Sequence, residues 1–188
     1  LLAVPFDVPI VGKNRVNRLR LWSAEAKTPV DMPAFLKGDI SAAFKRANMA
    51  ESISGFLYPP DDTTEGKELR LKQQYFFSSA SVQSIINDFK KTAKQVTELS
   101  DFIKIQLNDT HPTVAIPEML RILITDFGLN FETAFNILGK IFSYTNHTVM
   151  AEALECWDES LFCRVLPRVY PYVVMLNNHL HRTINNPA

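Results

Sequence analysis

Apolar side chains recur along this chain in two patterns, one typical of strands and one typical of helices. Short runs rich in β-branched and aromatic residues predict strands over residues 3–10, 15–24 and 102–108, and over the segment KIFSYT at 140–145. Steps of three and four residues predict a long helix, whose stripe is Leu71, Tyr75, Ser78, Val82, Ile85 and Phe89. A second stripe, Ile116, Leu120, Leu123, Ile124 and Phe127, stops at Gly128.

Polar residues mark where the predicted helices begin. Asp39 is expected to cap a helix that runs to about residue 49, and Asn130 a short helix that ends at Gly139. Asp62 with Glu65 three residues later resembles a capping box, which opens the long helix.

Strands that alternate with helices predict an α/β, Rossmann-like layered domain with a largely parallel sheet. The 188 residues, 46% of them apolar, are enough to bury one core, so we expect a single partial domain over 1–188. The chain begins with leucine rather than methionine and leads directly into a predicted strand, so it is expected to be an internal piece of a longer protein.

Charge and cysteine content exclude several classes of protein. Twenty basic residues balance twenty acidic ones, which argues against a nucleic-acid or anionic-membrane partner. The apolar start LLAVPFDVPIVG is too short and too broken by proline to span a membrane. Cys156 and Cys163 lack disulfide-framework and metal-ligand spacing, so we expect reduced thiols in a cytoplasmic protein.

Chemically useful side chains follow two of the predicted strands. Asp109 and His111 come just after the strand at 102–108, and His147 just after the strand at 140–145. Because the carboxyl ends of parallel strands meet at one edge of a sheet, both corners are expected to deliver polar groups to one crevice.

The residues alone leave other interpretations of these corners open. Asp109 and Thr110 also fit a turn that caps the following helix. A metal-dependent hydrolase would use Asp109, His111 and His147, with Glu152 or Glu155 as further ligands. No H-x-x-x-H or H-E-x-x-H pair supports that alternative.

Six stretches of the chain resemble, in this order, the middle of the N-terminal lobe of the α-1,4-glucan (glycogen, starch or maltodextrin) phosphorylases. They are AVPFDVPIVG, LRLWSA, GKELRLKQQYF, IQLNDTHPTVAIPEM, YTNHTVMAEALE and LPR, and the similarity runs from about residue 3 to about residue 185. The resemblance implies part of the N-terminal lobe of a two-lobed glycosyltransferase of the GT-B type. It also implies a homodimeric parent whose cofactor-binding C-terminal lobe is absent from this chain.

The implied reaction is the phosphorolysis of an α-1,4-glucan to glucose 1-phosphate with retention, through an oxocarbenium-like centre. The resemblance implies pyridoxal phosphate as the cofactor, held by the other lobe. We therefore expect no cofactor on this chain and no phosphorolysis by this chain alone, and a folded, non-catalytic fragment remains an alternative.

Residue roles follow from the same resemblance. Asp109 and His111 match a corner that lines the sugar pocket, and His147 matches the residue whose backbone carbonyl faces the developing positive charge. The implied substrate-binding residues are Asp61, Asp62, Arg70, Thr148, Glu152 and Glu155. In the mobile loop before the long helix the family commonly reads Y-P-N-D-N, whereas this chain reads YPPDD, which keeps Asp61 and replaces both asparagines.

Overall fold

The computed structural model describes residues 1–92, 94–147, 149–150 and 154–185. The chain divides into two compact units, Leu1–Phe76 and Phe77–Ala188. The described residues form a mixed α/β arrangement with two small sheets of two strands each. The expectation of one partial domain over residues 1–188 stays a prediction.

The first unit opens with a β-hairpin. Strands β1 (Leu2–Val11) and β2 (Val16–Glu25) pair antiparallel, from Leu2 opposite Glu25 to Val11 opposite Val16. Both predicted strands are confirmed, but their pairing does not fit a largely parallel sheet. Only four residues connect them, and a parallel pair needs a crossover of about a dozen residues or more.

Two helices with aspartate caps follow the hairpin, α1 (Met32–Leu36) and α2 (Ile40–Ser54). The predicted cap is confirmed, because Oδ1 of Asp39 accepts a hydrogen bond from the backbone N–H of Ala42 at 3.0 Å. The helix runs five residues beyond the predicted end at 49. Its continuation buries Ala50 and Ile53 in the small core of this unit, which explains the extra length.

The long helix, α3 (Thr64–Lys90), begins slightly later than expected. Oγ1 of Thr63 accepts from the backbone N–H of Gly66 at 3.1 Å, so Thr63 caps the helix and the predicted capping box of Asp62 with Glu65 is wrong. A cap side chain bonds the N–H two or three residues on, and Gly66 stands three residues after Thr63.

The second unit contains short elements in mixed order. They are α4 (Leu99–Phe102), β3 (Ile105–Asn108), α5 (Ala115–Thr125), α6 (Phe131–Ile141), β4 (Phe142–Thr145), α7 (Glu159–Val165) and α8 (Tyr170–Asn185). Strands β3 and β4 pair in parallel, with α5 and α6 forming the crossover between them. The predicted largely parallel sheet is therefore realised, among the described residues, only in this pair.

The core of the second unit anchors both strands. Leu107 of β3 is 3% exposed and packs with fully buried side chains of the helices, among them Leu99, Met119, Leu120, Leu123 and Ile141. Strand β3 is shorter than the predicted 102–108, because Leu99–Phe102 is helical and buries Leu99 completely.

Helix α6 confirms its predicted start and corrects its predicted end. Oδ1 of Asn130 accepts from the backbone N–H of Thr133 at 2.8 Å. The helix passes through Gly139 and ends at Ile141. Ile141 is 1% exposed, and its burial offsets the cost of about 1 kcal/mol that glycine imposes inside a helix.

A buried carboxylate links α3 to α5. Glu118 is 0% exposed, and its Oε1 atom accepts from the hydroxyl of Ser79 at 2.8 Å. Arg121 donates from Nε to Oε2 at 2.8 Å and from Nη2 to Oε1 at 3.0 Å. These bonds satisfy the buried charge, which would otherwise be costly to remove from water.

Candidate functional site

Strands β3 and β4 end side by side, so the corners that follow them lie at the same edge of the sheet. Asn108 and Thr145 form the last pair of the ladder. The backbone N–H of Asp109 then donates to the carbonyl of Thr145 at 2.9 Å. The segment from Asp109 to His111 and the segment that leads to His147 therefore leave the sheet from adjacent positions.

Asp109 turns the chain through an unusual backbone conformation. Its φ angle is +74°, and among the described residues only Asp109 and Tyr58 have a positive φ without being glycine. Aspartate tolerates this left-handed region better than most residues. Its Oδ1 atom folds back to accept a hydrogen bond from the backbone N–H of Thr110 at 2.6 Å.

The surroundings of Asp109 favour its ionised form. The backbone N–H of Thr110 is the main cause that lowers the pKa of this carboxyl below 3.8, against the opposing effect of desolvation. The imidazoles of His111 and His147 lower the pKa further through their charge. Both histidines that were predicted to lie near Asp109 therefore affect the pKa of its carboxyl.

Thr110 does not cap the next helical segment with its side chain. Its carbonyl accepts from the backbone N–H of Thr113 at 3.1 Å and from the Thr113 hydroxyl at 2.6 Å. Its own Oγ1 is buried and has no hydrogen-bond partner among the described residues. The capping interpretation of Thr110 is thus wrong.

The corner is attached to a rigid helix. A 3-10 turn, His111–Val114, leads directly into α5, which has buried residues along most of its length. Asp109 and His111 are half-buried, whereas His147 is exposed. The core thus positions the first corner and leaves Asp109 and His111 partly accessible.

Asn108 is a site residue that sequence reasoning missed. Its Oδ1 atom lies in hydrogen-bond contact with Nε2 of His147. The available signal was strand alternation, because Leu107 is buried and Asn108 is exposed on the opposite face. Its partner, 39 residues away, was not visible in that pattern.

The loop before α3, in the first unit, is folded onto the start of that helix. Nη1 of Arg70 lies 3.3 Å from Oδ2 of Asp61, and its guanidinium lies 5.8 Å from the centre of the Tyr58 ring. A Cβ atom at Gly66 would lie 1.8 Å from the carbonyl oxygen of Pro60, so only glycine permits this close approach. The structure thus pairs two predicted residues, Asp61 and Arg70.

The other predicted residues are less closely defined. Asp62 is exposed, and Glu155 is half-buried in the segment before α7. Thr148 and Glu152 lie outside the described residues. The expectation that Glu155 lines the same crevice as Asp109 stays a prediction.

The described part of the chain contains no group of three or more His, Cys, Asp or Glu side chains arranged to hold a metal ion. Asp109, His111 and His147 lie within that part, whereas Glu152 lies outside it. Cys156 and Cys163 are free and exposed. None of the described helices has the length and apolar character needed to cross a membrane.

Comparison with known proteins gives one consistent result. Residues 1–188 match the sequence model of the carbohydrate phosphorylases. Glycogen phosphorylase 2 of Dictyostelium discoideum is 44% identical over 187 residues, 98% of this chain and 19% of that protein. Glycogen phosphorylase of Saccharomyces cerevisiae is 46% identical over 179 residues, 94% of this chain and 20% of its own length.

An animal relative matches at a similar level. The liver form of human glycogen phosphorylase is 43% identical over 195 residues, 98% of this chain and 23% of that enzyme. The chain therefore spans about a fifth of the length of these relatives.

Proposed function

This chain belongs to the carbohydrate phosphorylase family, and on that premise we propose that it forms the sugar-binding half of a glucan phosphorylase active site. The reaction of the longer enzyme is the cleavage of a terminal α-1,4 bond by phosphate, which yields glucose 1-phosphate with retention. The observation that carries the proposal is the meeting of the Asp109 and His147 corners at one edge of β3 and β4.

The proposed chemistry needs fixed negative charge and dipoles close to a cationic transition state. Breaking the glycosidic bond develops positive charge at the anomeric carbon. The ionised Asp109, held by the Thr110 N–H, contributes such a charge, and it needs no protonation change at neutral pH. Groups that are already oriented stabilise a transition state without reorganisation during the reaction.

His147 has two proposed roles in that site. Its backbone carbonyl supplies a dipole toward the developing charge, and its imidazole bonds a hydroxyl of the sugar. His111 lies two residues after Asp109, and its charge helps to lower the pKa of the Asp109 carboxyl. Asp61 and Arg70, which the structure pairs, are proposed to shape the sugar-binding loop.

Pyridoxal phosphate does not fit the residues of this chain. The cofactor needs a lysine for a Schiff base and a cradle for its phosphate. Every lysine here is exposed except the half-buried Lys72, which pairs with Glu68 at 2.5 Å. We therefore assign the cofactor to a C-terminal lobe outside this chain, in a homodimeric enzyme of the cytoplasm, where free thiols such as Cys156 persist.

The test uses the full-length enzyme that we propose contains this chain. Asp109→Asn keeps the shape of the side chain and removes its charge, and it should lower the rate of glucose 1-phosphate formation about 100-fold or more. Asp101→Asn, an exposed position in α4, is the matched control and should retain wild-type activity. Equal activities of the two variants would overturn the role of Asp109.

A second measurement tests whether the cofactor binds outside this chain. The 188-residue chain mixed with pyridoxal phosphate, maltoheptaose and phosphate should yield no glucose 1-phosphate and no borohydride-trapped adduct. Turnover together with a specific adduct at one lysine would contradict the placement of the cofactor.

A further inference from the structure

Asn108 and Gln106 lie on the same face of β3, and each amide has a different partner on the β4 side. Nε2 of Gln106 donates to Oγ1 of Thr145 at 2.6 Å. Oδ1 of Asn108 contacts Nε2 of His147, the second residue after β4 ends. Asn108 thus connects His147 to the sheet, whereas the Gln106 amide bonds Thr145 instead.

This contact restricts where the proton of His147 can be. An amide oxygen accepts hydrogen bonds and does not donate them, so the contact of Oδ1 with Nε2 is a hydrogen bond only when Nε2 carries the proton. In the neutral ring, Nδ1 then carries the lone pair. An acceptor of this kind sets both the tautomer and the orientation of a functional histidine.

We propose that Asn108 is a positioning residue that holds His147 as its Nε2–H tautomer. Nδ1 is then available to accept a hydrogen bond from a hydroxyl group of the sugar. The identity of that ligand rests on the proposed function, whereas the tautomer is a property of this chain and is measured without any reaction.

A neutral acceptor suits this position better than a charged one. Asp109, the next residue, already places a carboxylate within electrostatic reach of His147. A second carboxylate at position 108 would favour the protonated ring, in which both nitrogens donate and Nδ1 no longer accepts. Asparagine supplies the acceptor without adding charge.

Nitrogen-15 NMR of the histidine rings tests the proposal on the chain itself. The chain has four histidines, so His147→Gln is enough to assign the signals of His147. The pH is raised until the ring shifts no longer change, because the two tautomers of a neutral imidazole differ in their nitrogen shifts. We expect an Nδ1 shift typical of an unprotonated nitrogen and an Nε2 shift typical of a protonated one.

Three variants of β3 separate positioning from general effects on the strand. Asn108→Leu should reduce the preference for the Nε2–H tautomer about fivefold or more, which corresponds to the loss of one hydrogen bond. Gln106→Leu, on the same face, should leave it unchanged. Asn108→Asp retains an acceptor and should keep the proton on Nε2. A wild-type Nδ1–H tautomer, or an unchanged preference in Asn108→Leu, would overturn the proposal.

Kinetics of the full-length enzyme distinguish this proposal from the proposed function. Asn108→Leu should lower kcat/KM for the glucan about 10- to 100-fold, while Gln106→Leu stays near wild type. An inactive wild type would refute the proposed function and leave the tautomer assignment standing. An active wild type with an equally active Asn108→Leu variant would refute the positioning role.

Discussion

Replacement of Arg121 by methionine removes the charge partner of a carboxylate that water does not reach. Glu118 is 0% exposed, and Arg121 approaches it with two donors at 2.8 and 3.0 Å. Two unit charges about 3 Å apart attract by about 5 kcal/mol in a medium with an effective dielectric constant of 20. The variant retains the hydroxyl of Ser79 as a donor to Glu118.

The expected cost follows from the burial of the two partners. Breaking a buried ion pair costs about 3–5 kcal/mol, because one charge is left uncompensated. The side chain of Arg121 is 20% exposed, so some water reaches the cluster and we expect about 3 kcal/mol. The exposed pair of Lys91 with Asp88 has the same spacing of three residues, at 2.7 Å, and should contribute less than about 0.5 kcal/mol.

Urea denaturation followed by circular dichroism measures these differences. Arg121→Met should lower the free energy of unfolding strongly, whereas Lys91→Met should be nearly neutral. The double variant Glu118→Met with Arg121→Met should recover most of the loss, because it no longer buries a charge. A cost of Arg121→Met below about 1 kcal/mol, or a double variant no more stable than the single one, would refute this reasoning.

Three further predictions concern Asp109, Asp158 and Leu107. Asp109→Ala should have a lower urea midpoint than Asp109→Gly, because glycine adopts the φ of +74° freely whereas alanine is strained there; equal midpoints would contradict this. The pKa of Asp109, lowered mainly by the Thr110 N–H, and that of Asp158, lowered mainly by the Ser160 hydroxyl, both lie below 3.8 in the folded chain. Their contribution to stability is therefore fully present above the unfolded pKa and is lost as pH falls through the folded pKa; with both residues changed to asparagine, urea midpoints measured at about pH 5 and pH 3 should differ less than in the wild type. Leu107→Ala, at a position 3% exposed, should cost about 2–4 kcal/mol of unfolding free energy, and a loss below 1 kcal/mol would show that β3 is not anchored as described.

The sequence by itself determined the features that depend on chemistry within a few residues. Asp39 and Asn130 cap their helices as predicted, because a short polar side chain bonds an N–H three residues further along the same chain. The strands of the hairpin and of the parallel pair follow from β-favouring composition. The family resemblance likewise depended on contiguous motifs such as IQLNDTHPTVAIPEM, which the comparison with known phosphorylases then matched.

Tertiary structure decided the features in which burial competes with local preference. Gly139 did not end α6, since the core takes up Ile141, and Phe102 became helical because Leu99 is fully buried. The contact between Asn108 and His147, which are 39 residues apart, is set by the parallel register of β3 and β4. That register exists only once α5 and α6 have packed as a crossover, and no pattern within either segment encodes the distance between them.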